Sequence, residues 1–326
     1  MKALILEQFS TQLKLKQVEI PEPKNPDQLL VKVEAAPINP SDLSFTNGFY
    51  QTNRKLPCVP GFEGSGLVVK TGSSDYAKSL LNKRVAFVSQ DHGSYAQYTL
   101  TDITSVVPLN DDVSYTQGCS SFINPMTVVC MLETVKQKEV KTVIHSAAAS
   151  SLGKMMVRYF KQNGVNVINI VRKEEQVQTL KKEGAQYILN STKEDFEKNL
   201  KELAEQLNAT MFFDAVGGEL TNQVLQNMPQ KSTVYVYGAL SGQQVTVSPL
   251  SLIFKGQTVT GYWLTNQIKD MDQQKIIQLL GTVKQLIKTD LKTDVNKEVP
   301  LEYGSDALTE YHKNMSAGKI IYRPWI

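Results

Sequence analysis

The chain contains 326 residues, of which 41% are hydrophobic and 21% are charged, and its formal net charge is +3. This composition is typical of a globular protein, and the length predicts two domains. The small net charge argues against a nucleic-acid partner and the lack of a long apolar run argues against a membrane span, so we expect a small-molecule substrate.

The first residues already have the pattern of a strand, so no signal or transit peptide is visible and a cytoplasmic location is expected. The three cysteines, Cys58, Cys119 and Cys130, are odd in number and lack a C-x-x-C spacing. They favour a reducing compartment and offer no zinc site.

Residues 1 to about 120 are predicted to form a small all-β domain, because short alternating segments are separated by Pro, Gly and Asn. The predicted strands include residues 13–18, 29–35, 61–69, 84–88 and a turn and strand over 93–98.

After Ser120 the pattern changes to strands alternating with helices, which predicts an α/β domain with a doubly wound parallel sheet. Its strands are expected near residues 143, 165, 187, 211–214, 234–237 and 259–263. Helices are expected over 174–183, 194–206, 220–228 and 272–289. The last residues, 300–326, are predicted as short elements that pack on the first domain. The predicted domains are therefore 1–122, completed by 292–326, and 123–291.

Residues 141–173 carry the clearest functional signal. An apolar run leads into small residues and an amphipathic stretch, and Gly164 precedes a second apolar run. Strand, tight turn, helix and strand form the first half of a dinucleotide-binding unit, in which N–H groups at the helix N-terminus hold a pyrophosphate. A capped turn has a similar sequence, so the turn alone leaves both interpretations open. The residues predicted to bind the cofactor there are Ala147, Ser150, Ser151, Leu152 and Gly153.

Arg172 and Lys173 follow the second apolar run, where dinucleotide folds recognise the adenosine ribose. An acidic residue at this place would accept a hydrogen bond from the ribose of NAD, whereas a cation suits the 2′-phosphate of NADP. The two residues therefore indicate NADP(H) as the cofactor. The alternative is that they form a solvated start of the next helix.

The order of a β domain, a dinucleotide domain and a C-terminal return resembles the medium-chain dehydrogenase/reductase superfamily over essentially the whole chain. A-A-P-I-N-P-S-D at 35–42 resembles its first substrate loop, and P-G-F-E-G-S-G at 60–66 resembles its glycine-rich barrel segment. D-A-V-G-G at 214–218 resembles the turn after its fourth Rossmann strand. The resemblance implies a GroES-like β-barrel catalytic domain plus a doubly wound parallel (Rossmann) sheet.

Zinc-dependent members of this superfamily need a Cys in the first loop and a His in a G-H-E turn. Here those places hold Asn39 or its neighbours and Phe62. Asp42 and Glu63 remain, but they lack the sulfur and nitrogen ligands that a catalytic zinc prefers. The chain therefore resembles the zinc-free branch, which contains quinone oxidoreductases and mitochondrial-type trans-2-enoyl-thioester reductases.

Several short motifs are similar to the enoyl reductases: N-P-S-D at 39–42 followed by G-F-Y at 48–50, the A-x-x-S-x-x-G turn at 147–153, V-R at 171–172, and L-I-F-K with G-Y-W-L at 252–255 and 261–264. A bacterial subgroup named only zinc-binding dehydrogenase is at least as similar over 140–264. The enoyl reductase resemblance makes the mitochondrion the alternative location.

The resemblance implies hydride transfer from a nicotinamide to an acceptor conjugated to a carbonyl, with Tyr50 as the proton donor. An unperturbed tyrosine titrates near pH ~10, so it holds its proton at neutral pH. Tyr50 could instead be a packing aromatic on a barrel loop. Asn39 is a second candidate catalytic residue, able to hydrogen-bond the nicotinamide ribose or the substrate carbonyl, or it is a turn residue before Pro40.

Three further residues are assigned to the cofactor. Tyr237 and Gly238 end the fifth Rossmann strand, where the backbone of the superfamily approaches the nicotinamide ribose, and Trp263 ends the last strand as a flat wall. That strand often forms the dimer edge in this superfamily, so the resemblance also implies a homodimer.

These observations predict an NADPH-dependent, zinc-free oxidoreductase that reduces an enoyl thioester, enal, enone or quinone. The alternative is a non-catalytic subunit that binds the cofactor within a larger, possibly mitochondrial assembly.

Overall fold

The computed structural model describes residues 1–89 and 91–326, and the chain forms two compact units. The first unit comprises Met1–Met126 and Leu280–Ile326, and the second comprises Thr127–Leu279. The sequence places the domain boundaries after residues 122 and 291, whereas the two units change over at residues 126 and 279. Both changeovers lie within helices, so no loop or composition change marks them in the sequence.

The strands of the described chain alternate with helices mainly in its middle third. In chain order the strands are β1 (Lys2–Ile5), β2 (Lys14–Gln17), β3 (Gln28–Pro37), β4 (Glu63–Thr71), β5 (Arg84–Val88), β6 (Tyr98–Asp102), β7 (Val106–Pro108), β8 (Thr142–His145), β9 (Asn166–Val171), β10 (Tyr187–Asn190), β11 (Met211–Asp214), β12 (Thr233–Val236), β13 (Thr258–Gly261), β14 (Val295–Val299) and β15 (Lys319–Tyr322).

The helices range from one turn to four. In chain order they are α1 (Pro40–Thr46), α2 (Asp75–Ser79), α3 (Tyr115–Gly118), α4 (Ile123–Gln137), α5 (Ser151–Gln162), α6 (Glu174–Lys182), α7 (Phe196–Gln206), α8 (Glu219–Gln226), α9 (Pro249–Lys255), α10 (Leu264–Lys269), α11 (Gln273–Leu286) and α12 (Ser305–Lys313). None of those in the described residues has the length and apolarity that a bilayer span needs.

The first unit is built on a mostly antiparallel sheet with the strand order β14-β15-β3-β4-β5-β7, in which β6 also pairs with β3. In its central strand β3, the alternate residues Leu29, Val31 and Val33 belong to the hydrophobic core. The predicted C-terminal return is confirmed, since β15 pairs with β3 and brings Ile321 opposite Pro37. The turn and strand expected over 93–98 are observed as a turn at Gly93, which has a φ of 75°, and a strand that begins at Tyr98.

The second unit confirms the predicted doubly wound sheet. Its six strands are all parallel and have the order β10-β9-β8-β11-β12-β13. The chain adds strands toward one edge from β8 to β10 and toward the other edge from β11 to β13, so the strand order reverses between β8 and β11. Parallel strands of this kind are covered on both faces. One face packs Ile144, Ile168, Phe212 and Val234 against helices α7 and α8.

Several helices were not predicted from the sequence. Helix α4 is buried on most of its surface, so it lacks the polar face that identifies an amphipathic helix. Helix α9 was missed for a different reason: its apolar residues Leu250, Ile253 and Phe254 are exposed, so they do not form a buried face. The C-terminal return also contains α12, which is longer than the short elements expected there.

Candidate active site

The turn between β8 and α5 has the local geometry of a phosphate-binding turn. Ala147 adopts a φ of 50°, the left-handed conformation that glycine provides in the usual fingerprint. A Cβ atom on Gly153 would lie 2.2 Å from the carbonyl oxygen of Ala148. The one glycine kept in this turn is therefore the one that the helix–turn contact requires.

The N-terminus of α5 offers unused polar groups. Ser150 is the N-cap, and its Oγ accepts a hydrogen bond from the Gly153 N–H at 3.1 Å. The next residue, Ser151, is buried, yet its Oγ has no hydrogen-bond partner in the described chain. Leu152 is buried beside them. Because the first N–H groups of a helix lack internal partners and attract anions, this orphaned hydroxyl fits a dinucleotide phosphate.

Arg172 and Lys173 lie where the sequence predicts them, immediately after β9, and both side chains are exposed. Their backbone N–H groups both donate to the Gln176 Oε1 atom, at 3.1 and 3.2 Å, and this anchors the turn. The Lys173 ammonium lies 3.4 Å from a carboxylate oxygen of Glu175. The described chain shows no carboxylate paired with the Arg172 guanidinium, so this cation is available to an anionic ligand.

Asp214, at the end of β11, connects the two turns on either side of the point where the strand order reverses. One of its oxygens accepts from the Ser146 Oγ at 2.7 Å, and that Oγ accepts in turn from the Ala215 N–H at 2.8 Å. The other oxygen accepts from the Thr221 Oγ1 at 2.6 Å. These hydrogen bonds fix the two turns relative to each other. In open α/β sheets, ligands bind at the carboxyl ends of the strands where the strand order reverses, so Asp214 orders the edge at which a ligand is expected.

The remaining predicted cofactor residues follow β12 and β13. Tyr237 comes directly after β12, and its hydroxyl lies 2.7 Å from the His145 Nε2 atom at the end of β8. Next to it, a Cβ atom on Gly238 would lie 2.7 Å from the Ala215 carbonyl oxygen. The position of Trp263 differs from the prediction, because β13 ends at Gly261 and Trp263 is instead the N-cap residue of α10, with an exposed side chain.

In the first unit, Tyr50 packs against an aromatic ring at a tilted angle. Its ring centroid is 5.0 Å from that of Phe62, and the Arg54 guanidinium lies over the same Phe62 ring at 4.6 Å. Arg54 is itself held by the carbonyl oxygens of Val59 and Gly61. Phe62, at the place where zinc-dependent relatives carry a histidine, therefore serves as a packing surface for Tyr50.

Asn39 is completely buried, and both ends of its amide are engaged. Its Nδ2 donates to Glu63 at 2.8 Å, and its Oδ1 accepts from the Lys319 ammonium. Lys319 also donates to the Ile38 carbonyl and to the Tyr311 hydroxyl. An amide committed in this way orders the loop before α1 rather than meeting a ligand.

Two carboxyl groups share this buried region. Burial raises the pKa of Glu63 to about 7, against the opposing effect of the N–H groups of Ile123 and Phe122, which donate to its Oε2 atom. Burial also raises the pKa of Asp42 to about 6, although the Asn39 N–H donates to it at 2.7 Å. No group of His, Cys, Asp or Glu side chains placed to hold a metal ion occurs among residues 1–89 and 91–326.

Sequence reasoning missed Lys319, Arg54 and the partnership of His145 with Tyr237. A lysine opening the apolar strand Lys319–Tyr322 is a signal that could have been noticed, because a strand of this kind is buried. Arg54 lies in an irregular loop, and its contacts span up to 35 positions, so no local pattern reveals them.

Comparison with known proteins identifies the family. The alcohol dehydrogenase GroES-like domain family matches residues 25–111, and the zinc-binding dehydrogenase family matches residues 151–282. A mitochondrial enoyl-[acyl-carrier-protein] reductase of Xenopus tropicalis is 30% identical over 312 residues, which cover 91% of this chain and 87% of the relative. The chain belongs to the zinc-free branch of the medium-chain dehydrogenase/reductase superfamily.

Solved structures agree with this family. A protein of Mesorhizobium loti provisionally named NADPH:quinone reductase is 31% identical, with a TM-score of 0.90 and coverage of 99% of this chain and 98% of that one. The quinone oxidoreductase of Escherichia coli, solved with NADPH, is 22% identical, with a TM-score of 0.87 and coverage of 99% and 100%. The latter similarity shows a common fold. The predicted GroES-like and Rossmann architecture is thereby confirmed.

Proposed function

We propose that this chain is an NADPH-dependent, zinc-free oxidoreductase that reduces an α,β-unsaturated carbonyl compound or a quinone. The observation that carries the proposal is the β8–α5 turn, where the buried Ser151 hydroxyl lacks a partner at a helix N-terminus. The relatives add the reaction class, because the frog protein is named as an enoyl reductase and the Mesorhizobium protein is provisionally named as an NADPH:quinone reductase.

The cofactor residues fit NADPH. The N-terminus of α5, with Ser150, Ser151 and Gly153, would hold the pyrophosphate, and Arg172 and Lys173 would meet the 2′-phosphate. Tyr237, Gly238 and Trp263 would contact the nicotinamide half. When bound, NADPH supplies a hydride. Neutralising Arg172 by substitution with Ala should therefore weaken binding of NADPH roughly 10-fold more than binding of NADH, which lacks the 2′-phosphate.

Tyr50 is the proposed donor of the proton that the reduced substrate takes up. Reduction of a conjugated C=C bond adds a hydride at the β-carbon and a proton at the α-carbon, and an acid positioned in the loop after α1 can deliver that proton. The Tyr50 ring packs on the Phe62 ring, and the Arg54 guanidinium contacts that same Phe62 ring. Asn39 would act through this loop as a positioning residue, since its amide is committed to Glu63 and Lys319.

Stopped-flow oxidation of NADPH with crotonyl thioesters, enals and quinones tests the proposal. We expect turnover with at least one class, and a fall in kcat of about 100-fold on Tyr50→Phe for the unsaturated carbonyl compounds. Tyr98→Phe, which alters a tyrosine packed on Trp325 in the same unit, is the matched control. No turnover with any acceptor would contradict the proposed function, whereas turnover unaffected by Tyr50→Phe would leave Tyr50 as a packing residue.

We also propose a homodimer through the β13 edge of the sheet. Strand β13 pairs with β12 on one side, and it is largely exposed. Ile253 and Phe254 on the preceding helix are 69% and 74% exposed. An edge strand beside exposed apolar side chains is a surface that proteins normally cover. Light scattering should show a dimer that Phe254→Glu converts to a monomer, and a monomeric wild-type chain would refute this.

For the compartment we propose the cytosol, where the thiols of Cys58, Cys119 and Cys130 remain reduced. The mitochondrial name of the frog relative makes the mitochondrion the alternative. Fractionation of cells that express the full chain separates the two.

A further inference from the structure

His145, which is buried, and Tyr237, which is partly buried, form a pair at the carboxyl ends of β8 and β12. The His145 Nε2 atom lies 2.7 Å from the Tyr237 hydroxyl, and the rings are stacked with centroids 5.9 Å apart. His145 is fully buried, and burial lowers its pKa to about 3, so the ring is neutral at physiological pH. A neutral imidazole carries a proton on one nitrogen and a lone pair on the other. The second nitrogen, Nδ1, has no hydrogen-bond partner in the described chain.

A second unpartnered atom lies on the neighbouring strand. Asn169 of β9 is the register partner of His145, so the two side chains lie on the same face of the sheet. Asn169 is 1% exposed, and its Oδ1 atom has no hydrogen-bond partner in the described residues. Its Nδ2 atom donates to the Val167 carbonyl at 2.9 Å and to the Tyr187 carbonyl at 3.0 Å. These two acceptors determine the orientation of the amide, so the unpartnered Asn169 atom is an acceptor.

Only one tautomer of His145 serves both orphaned atoms. With the proton on Nδ1, the ring has a donor for the Asn169 Oδ1 atom on the adjacent strand, which a small side-chain rotation or one buried water would bring into use. With the proton on Nε2, the His145 Nδ1 and Asn169 Oδ1 atoms are both acceptors, so neither can satisfy the other. The Nδ1–H tautomer leaves the Nε2 atom as an acceptor, so the Tyr237 hydroxyl must be the donor in the 2.7 Å contact.

A hydroxyl that donates its single proton to His145 can only accept from any third group. Tyr237 keeps that proton, because burial raises its pKa well above the ordinary value. We infer that His145 is a positioning residue that presents the Tyr237 hydroxyl as an acceptor for an N–H or O–H group of the bound nicotinamide riboside. This inference rests on the proposed function, which places the nicotinamide half of NADPH beside Tyr237.

Nitrogen-detected NMR tests the tautomer without any turnover. The chain has three histidines, His92, His145 and His312, so the His145 ring signals can be assigned by substitution. We expect a neutral ring protonated at Nδ1 in wild-type protein. Asn169→Leu should increase the population protonated at Nε2, whereas Asn166→Leu on the same strand should leave the spectrum unchanged. A wild-type ring protonated at Nε2 would overturn the inference.

Cofactor affinity, measured by quenching of the intrinsic fluorescence, tests the positioning role. Tyr237→Phe and His145→Leu should each weaken NADPH binding roughly 3- to 10-fold, with no further loss in the double variant, because one acts through the other. His145→Gln keeps an acceptor near the Nε2 position and should restore most of the affinity. Additive losses, or no restoration by Gln in a variant that still folds, would overturn the role of His145.

The two measurements separate this inference from the proposed function. If NADPH binds but no acceptor is reduced, the tautomer and the affinity series still decide the role of His145. If NADPH does not bind although the Nδ1–H tautomer is seen, the pair is structural and both the cofactor assignment and the positioning role are wrong.

Discussion

Asn39 and the polar groups at the N-terminus of α5 were both predicted to meet a ligand, and they differ in how far other groups of the protein already hydrogen-bond to them. Around Asn39, an ammonium and a carboxylate engage both ends of the buried amide. At α5, the buried Ser151 hydroxyl has no hydrogen-bond partner in the described chain. Because a buried polar group without a partner costs stability, the protein tolerates one chiefly where a ligand completes it. We therefore expect the engaged Asn39 amide to stabilise the fold and the unpartnered Ser151 hydroxyl to contact a ligand.

The largest effect is expected from replacing Lys319, which tests whether the hydrogen-bonded cluster around Asn39 stabilises the fold. Lys319→Met leaves the Asn39 Oδ1 atom and the Ile38 carbonyl without their donor, and it removes the cation beside Glu63. Breaking a buried charged cluster in this way should lower the free energy of unfolding by about 3–5 kcal/mol in denaturant melts. Lys78→Met, at an exposed ion pair of 3.8 Å, should change it by less than about 0.5 kcal/mol. Equal effects would show that the Lys319 cluster is not structural.

The pH dependence of stability tests the same cluster. Since the pKa of Glu63 is raised from 4.5 to about 7, the folded chain binds this proton more tightly than the unfolded chain. Stability contributed by the protonated carboxyl is fully present below pH 4.5 and is lost as the pH rises toward 7, by on the order of 3 kcal/mol.

In melts across this pH range, Glu63→Gln should flatten that decline, and Glu205→Gln on the exposed face of α7 should preserve it. A wild-type stability that rises between pH 4.5 and 7 while the Glu63→Gln variant stays flat would reverse the sign and contradict the assignment.

Substitution of Gly153 tests the geometry of the turn before α5, where the cofactor is proposed to bind. A Cβ atom at this position meets the Ala148 carbonyl oxygen at 2.2 Å, so Gly153→Ala must shift the turn. We expect a loss of about 1–3 kcal/mol in unfolding free energy together with weaker NADPH binding. Gly281→Ala is the control, because its Cβ meets nothing within 4 Å in the middle of α11, and it should stabilise the chain by about 0.5–1 kcal/mol.

Substitution of the neighbouring residues Ser151 and Ser150 should affect different properties, cofactor binding for Ser151 and stability for Ser150. Ser151→Ala removes an unpartnered hydroxyl, so it should weaken NADPH binding roughly 3- to 10-fold without lowering stability. Ser150→Ala removes the N-cap that accepts from the Gly153 N–H, so it should lower stability by about 1 kcal/mol. Calorimetry and melts on the two variants give the comparison, and a Ser151 variant that binds NADPH normally would remove the main support for the proposed cofactor site.

Ala147 gives the smallest expected effect. Its φ of 50° costs a non-glycine residue about 1–2 kcal/mol, part of which glycine would return as entropy of the unfolded chain. Ala147→Gly should therefore raise the free energy of unfolding by about 0.5 kcal/mol. A destabilised variant would show that the methyl group of Ala147 packs favourably enough to outweigh the strain.

The sequence predicted the parallel sheet well, because strands buried on both faces read as continuous apolar runs between amphipathic helices. Strand Met211–Asp214 is observed over the predicted residues. The same local reading failed for α4, whose buried surface lacks a polar face, and for Trp263, because periodicity alone does not show where a short edge strand ends and a helix cap begins.

By itself the sequence determined the strand–turn–helix at 142–162 and the cations after β9, since both depend on residues close together in the chain. Only the tertiary structure decided what the buried polar side chains do. Lys319 reaches Asn39 across 280 positions, and Tyr237 reaches His145 across 92. The free energy of a polar group depends on whether folding supplies it with a partner, and for these residues the partner comes from a distant part of the chain.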